Sequence, residues 1–449
     1  MSEYGKAPDV KVGRLTGEQY LENFRDIHPP LGDREAIIEA ERCYFCYDAP
    51  CVTACPTSID IPQFIREIST GNPNGAAATI YSQNILGGMC ARVCPTETLC
   101  EQACVREESE GKPVKIGLLQ RSATDHFMET REGTSFTRAP ETGKRVAIVG
   151  AGPAGLSCAH RLATYGHDIT LYDAKSKAGG LNEYGIAAYK ATNNFAQKEV
   201  EWLLSIGGIT FENGCRLGTD FSLETLVEDY DAVFLAVGHS GVNAVKAAGE
   251  ELKNLHNAVS YIHDLRQSED LSKLPVGGNV VVIGGGMTAV DIAVQSKLLG
   301  AQNVTMVYRR GPEHIGASKY EQDLALLNGV AIRFWSKPIA FQGHGEHLKS
   351  VDLETTRLNE NGELEGTGEV EAIAADVLFR AVGQHFVPGE LEGAIELEAG
   401  RIKVDETYAT SINKVWAGGD CVGVSDDLTV SAVEDGKQAA EAIHTTISA

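Results

Sequence analysis

Eight of the eleven cysteines in this 449-residue chain fall between Cys43 and Cys104, and that crowding is the first chemistry the sequence offers. One group reads Cys43-Tyr-Phe-Cys46-Tyr-Asp-Ala-Pro-Cys51-Val-Thr-Ala-Cys55-Pro56. The other reads Cys90-Ala-Arg-Val-Cys94-Pro95, then Cys100-Glu-Gln-Ala-Cys104. Closely spaced thiolates on loops can wrap a metal centre, and a Cys followed by Pro commonly serves the second site of a two-cluster ferredoxin-like module. Two [4Fe–4S] clusters are the reading favoured by the Cys-Pro pairs. Zinc is the rival, because four thiolates suit it equally, and ordinary buried thiols are the bland alternative. A disulfide scaffold fits poorly, since such chains are usually short and secreted. Met1-Ser2-Glu3-Tyr4 lacks a basic segment leading into an apolar one, so the sequence predicts no secretory signal and a reducing cytoplasm.

A second chemistry lies in two glycine-rich turns. Gly150-Ala-Gly152-Pro153-Ala154-Gly155 follows the apolar run Val146 to Val149 and precedes a helical stretch. The first glycine allows a tight turn, the second lets the backbone approach a pyrophosphate, and the third allows close helix–strand packing. The free N–H groups and dipole of the helix N-terminus favour that anion. The next strand ends at Asp173, at the spacing of a ribose-binding acid. The other turn, Gly284-Gly285-Gly286-Met287-Thr288-Ala289, follows Asn279 to Ile283 and has Ala in place of the third Gly. Its next strand ends in Arg309-Arg310 rather than an acid. A guanidinium pair can hold a 2′-phosphate that an acid would repel, which favours NADPH over NADH; two solvated surface arginines are the plain alternative.

The elements that must position these residues divide the chain by pattern. Up to about residue 141 the sequence reads as helices joined by cysteine-bearing loops. Asp60 is a candidate N-cap, Pro62 stands in the first turn, Ile61, Phe64, Ile65 and Ile68 share one face, and Gly71 ends the helix. The polar stretch from Arg131 to Lys144, with Gly133, Pro140 and Gly143, reads as a linker. From Arg145 onward, β-branched runs alternate with glycine clusters and helices, the pattern of α/β architecture. Two further runs, Ala232 to Gly238 and Asp376 to Gly383, both end in Ala-Val-Gly, so the architecture is duplicated. The net charge of −23 argues against a nucleic-acid surface. No run of about 20 apolar residues occurs, so no membrane span is expected.

Two such folds closed by Ala-Val-Gly strands resemble the disulfide-reductase-type flavoproteins, in which a NAD(P)H domain is inserted into an FAD domain. Trp416-Ala-Gly-Gly419-Asp420 matches that family's second FAD motif, whose Asp meets the flavin's ribityl–pyrophosphate region. Thr429 to Gly436 would be the following helix, with its N-terminus near the isoalloxazine. The resemblance implies a helical iron–sulfur domain at 1–141, an FAD domain at 142–245 plus 374–449, and a NAD(P)H insert at 246–373. It also implies that Gly180, Leu181, Gly238, Ala381 and Gly383 border the nucleotides. The redox Cys pair of the disulfide reductases is absent after Lys144, so electrons must leave the flavin by another route.

That route is where a narrower resemblance enters. Ala49-Pro-Cys51, Cys55-Pro-Thr57, Gly75-Ala-Ala77, Val93-Cys-Pro-Thr96 and Ile116-Gly-Leu-Leu-Gln120 are similar to the N-terminal domain of the dihydropyrimidine dehydrogenase family, and the likeness continues through both dinucleotide folds. By that resemblance one cluster takes Cys43, Cys46, Cys51 and Cys104. The other takes Cys55, Cys94, Cys100 and the side chain of Gln120, leaving Cys90 as a spare thiol. Arithmetic on the residues alone opposes this, because eight cysteines fill two four-ligand sites without a glutamine.

The family places an Arg near the flavin where this chain has Lys190, and another near the 2′-phosphate where it has Gly316. Lys190 keeps the charge but loses the planar fork; with Asp420 it is the candidate catalytic group, and Gly316 weakens the case for NADPH. No FMN barrel follows before Ala449. The resemblance therefore implies an electron-input subunit that oxidises NAD(P)H and feeds an FMN- and iron–sulfur-containing partner, which reduces uracil or thymine. The rival resemblance is to the small subunit of glutamate synthase, which shares the three-part build.

Overall fold

The computed structural model describes residues 15–130 and 136–449 and falls into two compact units. The opening tetrapeptide and residues 131–135 of the expected linker, with Gly133, lie outside the described residues.

The larger unit spans His28–Glu183, Lys190–Gly241 and His385–Ala449. Its N-terminal part is helical. In helix Ile61–Ser69 the Asp60 carboxylate accepts the Gln63 N–H and Pro62 occupies the first turn, while Ile61, Phe64, Ile65 and Ile68 are buried. That face packs with Ile80, Ile116 and Leu119 from neighbouring helices, giving the cysteine loops a rigid floor. The rest of this unit is a five-stranded parallel sheet ordered Val415–Ala417, Ala232–Leu235, Arg145–Val149, Asp168–Asp173, Ile209–Asn213. Its central strand is buried from Val146 to Val149, as expected for a parallel sheet covered on both faces. Helix Pro153–Thr164 runs beside Thr429–Ser448 against it. The stretch 136–144 is not a free tether. Ala139 and Thr142 donate backbone hydrogen bonds to Thr164 and Gly166, which lays it along the fold that follows.

The smaller unit contains Tyr184–Tyr189 and Val242–Gln384, together with residues 15–27. Helix Gly17–Asn23 therefore belongs here, not with the cysteine helices. Tyr20 is buried in the apolar core of this unit and the Asn23 amide donates to Leu298 O at 2.8 Å. A second parallel sheet runs Leu255–Asn257, Val377–Arg380, Asn279–Ile283, Asn303–Val307, Val330–Arg333. An antiparallel meander of Ser336–His344, His347–Leu358 and Leu364–Ala374 accompanies it. Periodicity did not announce this meander, because its last strand is exposed on both faces for most of its length. Among the described residues no helix is long and apolar enough to cross a membrane.

Candidate functional site

In an open parallel sheet, ligands bind outside the carboxyl ends of the strands. The first glycine turn stands there, after Val149. Gly150 has φ 106°, and a Cβ on it would meet Ala236 O at 2.2 Å. A Cβ on Gly155 would meet Gly150 O at 1.8 Å, so only glycine lets helix Pro153–Thr164 start this close to the strand. Gly180, with φ 54°, comes against Gly152: its Cβ would lie 2.6 Å from the Gly152 Cα. Gly419 approaches from the last strand, its Cβ position 3.0 Å from the Ala154 methyl. Asp173 accepts the Ala151 N–H at 2.8 Å, and burial raises its pKa. The fold thus brings Gly150, Gly152, Ala154, Gly155, Asp173, Gly180 and Gly419 together at the carboxyl end of the sheet, with Pro153 and Leu181 next to them in the chain.

Asp435, Ser425, Tyr408 and Asn182, which motif reading missed, tie down the turns around Gly419 and Gly180. Asp435 accepts the Gly419 N–H at 2.9 Å and hydroxyls from Ser425 and Tyr408, which fixes the Gly-Asp turn. Thr429 Oγ1 donates to Asn182 Oδ1 at 3.0 Å, drawing the last helix to the Gly180–Leu181 corner. Burial, then the neighbouring Asp427, push Asp420 up to about 6. Beside it His239 follows Gly238; burial lowers its pKa, and its Nε2 is buried with no hydrogen-bond partner among the described residues. Glycines whose Cβ positions must stay empty and an orphaned buried nitrogen fit a bound dinucleotide. Lys190 is buried, at 9% exposure.

The second turn repeats the geometry in the smaller unit. Gly284 has φ 141°, with its Cβ position 2.1 Å from Ala381 O, and Gly286 faces open space at the start of helix Met287–Leu298, which carries Thr288 and buried Ala289. Gly383, with φ 93°, ends the adjoining strand segment. Gly316 lies over the turn, its Cβ position 3.8 Å from Gly285 O. Arg309 and Arg310 line a polar cavity of about 270 Å³ with Lys337 of the meander. The Thr356 hydroxyl donates to Arg309 O at 2.7 Å and holds the strand end beneath it. Three cations and the Glu365 carboxylate thus border one polar cavity, and Lys337 could not be placed there without the meander.

All eleven cysteines are free thiols. Eight of them separate into two cavities. Cys43, Cys46, Cys51 and Cys104 line one; Cys55, Cys90, Cys94, Cys100 and Gln120 line the other. Burial and mutual repulsion raise the pKa values of Cys43, Cys51, Cys94 and Cys100: Cys51 reaches about 12, driven by desolvation and then by Cys43 and Cys104. Cys94 is raised by its hydrogen bond to Cys90, then by burial. Thiols that resist ionisation when crowded become ligands once cationic iron supplies the opposite charge. Among the described residues no three His, Cys, Asp or Glu side chains close on a point as a single ion would need. Thiols spaced around a cavity suit a cluster wider than one ion, and the residues fit iron–sulfur better than zinc. Val430, one residue into the last helix, also lines the second cavity. Lys437 of the same helix donates to Thr57 O at 3.3 Å, two residues from Cys55.

Residues 20–132 match the family described as dihydropyrimidine dehydrogenase domain II, 4Fe-4S cluster, and residues 144–443 match pyridine nucleotide-disulphide oxidoreductase. The NAD-dependent dihydropyrimidine dehydrogenase subunit PreT of Escherichia coli K12 is 36% identical over 94% of this chain and 97% of its own length. The glutamate synthase [NADPH] small chain of the same organism is 32% identical over 94% and 93%. Mycobacterium tuberculosis FprA in complex with NADPH superposes with a TM-score of 0.59 at 20% identity, covering 69% of this chain and 85% of that one, a likeness of fold. The chain belongs to the pyridine nucleotide-disulphide oxidoreductase family, as a NAD(P)H-dependent flavin and iron–sulfur enzyme with a 4Fe–4S domain of the dihydropyrimidine dehydrogenase type ahead of its FAD and NAD(P)H folds.

Proposed function

We propose that this chain is the electron-input subunit of a dihydropyrimidine dehydrogenase, working with a partner subunit that carries FMN and iron–sulfur and reduces uracil or thymine. The observation that carries the proposal is the sorting of the thiols into two cavities, the second of which reaches the last helix through Val430. When bound, the flavin takes hydride from NAD(P)H and the clusters pass electrons singly. The chain's own work is positional. Gly150, Gly152, Ala154, Gly180, Gly238, Gly419, Asp420 and Thr429 hold FAD, with Asp173 on its ribose and Lys190 as the flavin-side cation. Gly285, Gly286, Met287, Thr288, Ala289, Ala381 and Gly383 hold the nicotinamide nucleotide, and Arg309 with Arg310 takes a 2′-phosphate. Cys55, Cys94, Cys100 and Gln120 ligate the flavin-side cluster, and Cys43, Cys46, Cys51 and Cys104 the outer one. The more solvent-exposed loop at Tyr44 and Tyr47 beside Cys43 and Cys46 supports this order. The sequence-based bounds are 1–141, 142–245 plus 374–449, and 246–373; in this reading the NAD(P)H fold also takes residues 15–27 and runs over 242–384, because strand Val377–Arg380 pairs with Asn279–Ile283.

The test is co-purification with the gene-neighbour subunit, then NAD(P)H oxidation assayed with uracil against 2-oxoglutarate plus glutamine. Uracil-dependent oxidation is expected. Activity with only the second pair would assign the chain to glutamate synthase and sink the pyrimidine reading.

A further inference from the structure

Gly87 and Gly88 share one peptide group, and buried side chains take both of its polar ends. Gly87 O accepts the Gln120 Nε2–H at 2.7 Å. The Gly88 N–H donates to Glu199 Oε1 at 2.7 Å, and the Met89 N–H donates to Oε2 at 3.1 Å. Glu199 is wholly buried, on helix Phe195–Leu204, and Gln120 is 8% exposed. Gly88 has no room for a side chain: a Cβ would stand 2.5 Å from the Phe195 ring and 2.7 Å from Glu199 Oε1. A primary amide donates only through its nitrogen, so the bond to Gly87 O fixes which end of Gln120 is which. Its Oε1 makes no hydrogen bond among the described residues, and the side chain lines the cavity of Cys55, Cys94 and Cys100.

We propose that Glu199 is a positioning residue for the second cluster, acting through the Gly87–Gly88 peptide to orient the Gln120 amide and strengthen its oxygen as an iron donor. The inference rests on the reading of Gln120 as a ligand. A carboxylate on the N–H end polarises the peptide, so Gly87 O becomes a stronger acceptor. The Gln120 N–H bond tightens in turn, and electron density moves towards Oε1; chained hydrogen bonds polarise one another in this way inside a low-dielectric interior. Outer partners raise the basicity of metal-bound histidines by the same logic. A stronger oxygen donor stabilises the oxidised cluster and lowers its reduction potential. The other groups facing Glu199 are Tyr81, whose hydroxyl lies 3.4 Å from Oε1, and Arg92. Arg92 is occupied elsewhere, donating to Gly88 O and pairing with Asp125 at 2.5 Å.

The experiment is an EPR-monitored redox titration of the cluster-loaded full chain, at a pH above the value of about 7 to which burial pushes Glu199. Glu199→Gln keeps the shape but loses the charge and one of the two acceptors. At fixed potential the reduced-to-oxidised ratio of one cluster should rise roughly fivefold, the worth of about one hydrogen bond, while the other cluster is unmoved. In a Gln120→Cys background the same change should have no effect, because the relay no longer ends on a ligand. A shift of equal size in both backgrounds, or none in the native one, overturns the proposal. Gln120→Ala leaving both cluster signals intact would overturn it through the ligand reading beneath it, a failure seen without touching Glu199. If Glu199→Gln does not accumulate, Glu199→Asp keeps the charge but shortens the reach, and must give a shift of the same sign with the same dependence on Gln120.

Discussion

Gly436, in the last helix, lies against the main-chain carbonyl of Ala154 in the first turn of helix Pro153–Thr164: a Cβ on Gly436 would stand 2.1 Å from that oxygen. In an exposed helix interior, Gly→Ala stabilises by about 1 kcal/mol. Here the sign reverses, because the obstacle is backbone and cannot swing aside. Gly436→Ala should cost about 1–3 kcal/mol, the range for overpacking, and push Ala154 out of the pyrophosphate turn. We expect lower flavin absorbance per chain and a lower Tm. A variant with full flavin and a raised Tm would contradict the close approach.

The cavity of Arg309, Arg310 and Lys337 bears on nucleotide choice. Glu365 also borders it, but pairs with Arg357 at 2.7 Å, so its charge is already matched. Lys337→Glu should raise KM for NADPH roughly tenfold, about the worth of one charge-assisted contact, and leave KM for NADH and both kcat values near their native levels. Steady-state dye reduction with each nucleotide reads this directly. Equal effects on both nucleotides would place the 2′-position elsewhere.

Both glycine turns were legible in the sequence, because a turn that tolerates no Cβ must be written in glycine, at Gly150, Gly155 and Gly284 alike. The helix from Ile61 was legible for a similar reason: Asp60, Pro62 and a four-residue apolar face are local signals, and all three act locally. What the sequence hid depends on distance along the chain. Helix Gly17–Asn23 packs near Leu298, which no local pattern encodes. Lys337 reaches the arginines only through a meander whose exposed strand lacks alternation. Glu199 did carry a signal: it stands four residues after Phe195 and four before Leu203, an acid on the buried stripe of its helix. An acid in that position asks for a buried donor, which Gly88 and Met89 supply.

Stability should fall in mild acid, and His160 gives the sign. Burial holds it neutral in the fold, with its pKa lowered from 6.5 to about 3. Between those values the unfolded chain binds the extra proton and the native one does not, so unfolding is favoured as pH drops. The contribution is fully present above about 6.5 and is lost as pH falls towards 3. His256, lowered to about 4, adds to the same trend. Glu199 opposes it: raised from 4.5 to about 7, it contributes stability present below 4.5 and lost as pH rises through 7. His160→Gln should therefore flatten the decline of the urea midpoint between pH 6.5 and 4 by close to one proton's slope. An unchanged slope would mean that His160 is solvated in the folded state.

Cys90 and Gln120 border the same cavity, and their surroundings predict which of them the second cluster can spare. Cys90 is 1% exposed within helix Gly87–Val93, and its thiol is hydrogen-bonded to Cys94. Gln120 needs no deprotonation, and its nitrogen is already anchored on Gly87 O. Cys90→Ser should therefore keep the full iron content and both cluster signals. Gln120→Ala should lose or reshape one of them, because water or another weak donor must take the vacated position. Iron and sulfide analysis with EPR of the reduced chain decides the matter. If Cys90→Ser removes four irons per chain, Cys90 is the ligand and the Gln120 amide is a neighbour only.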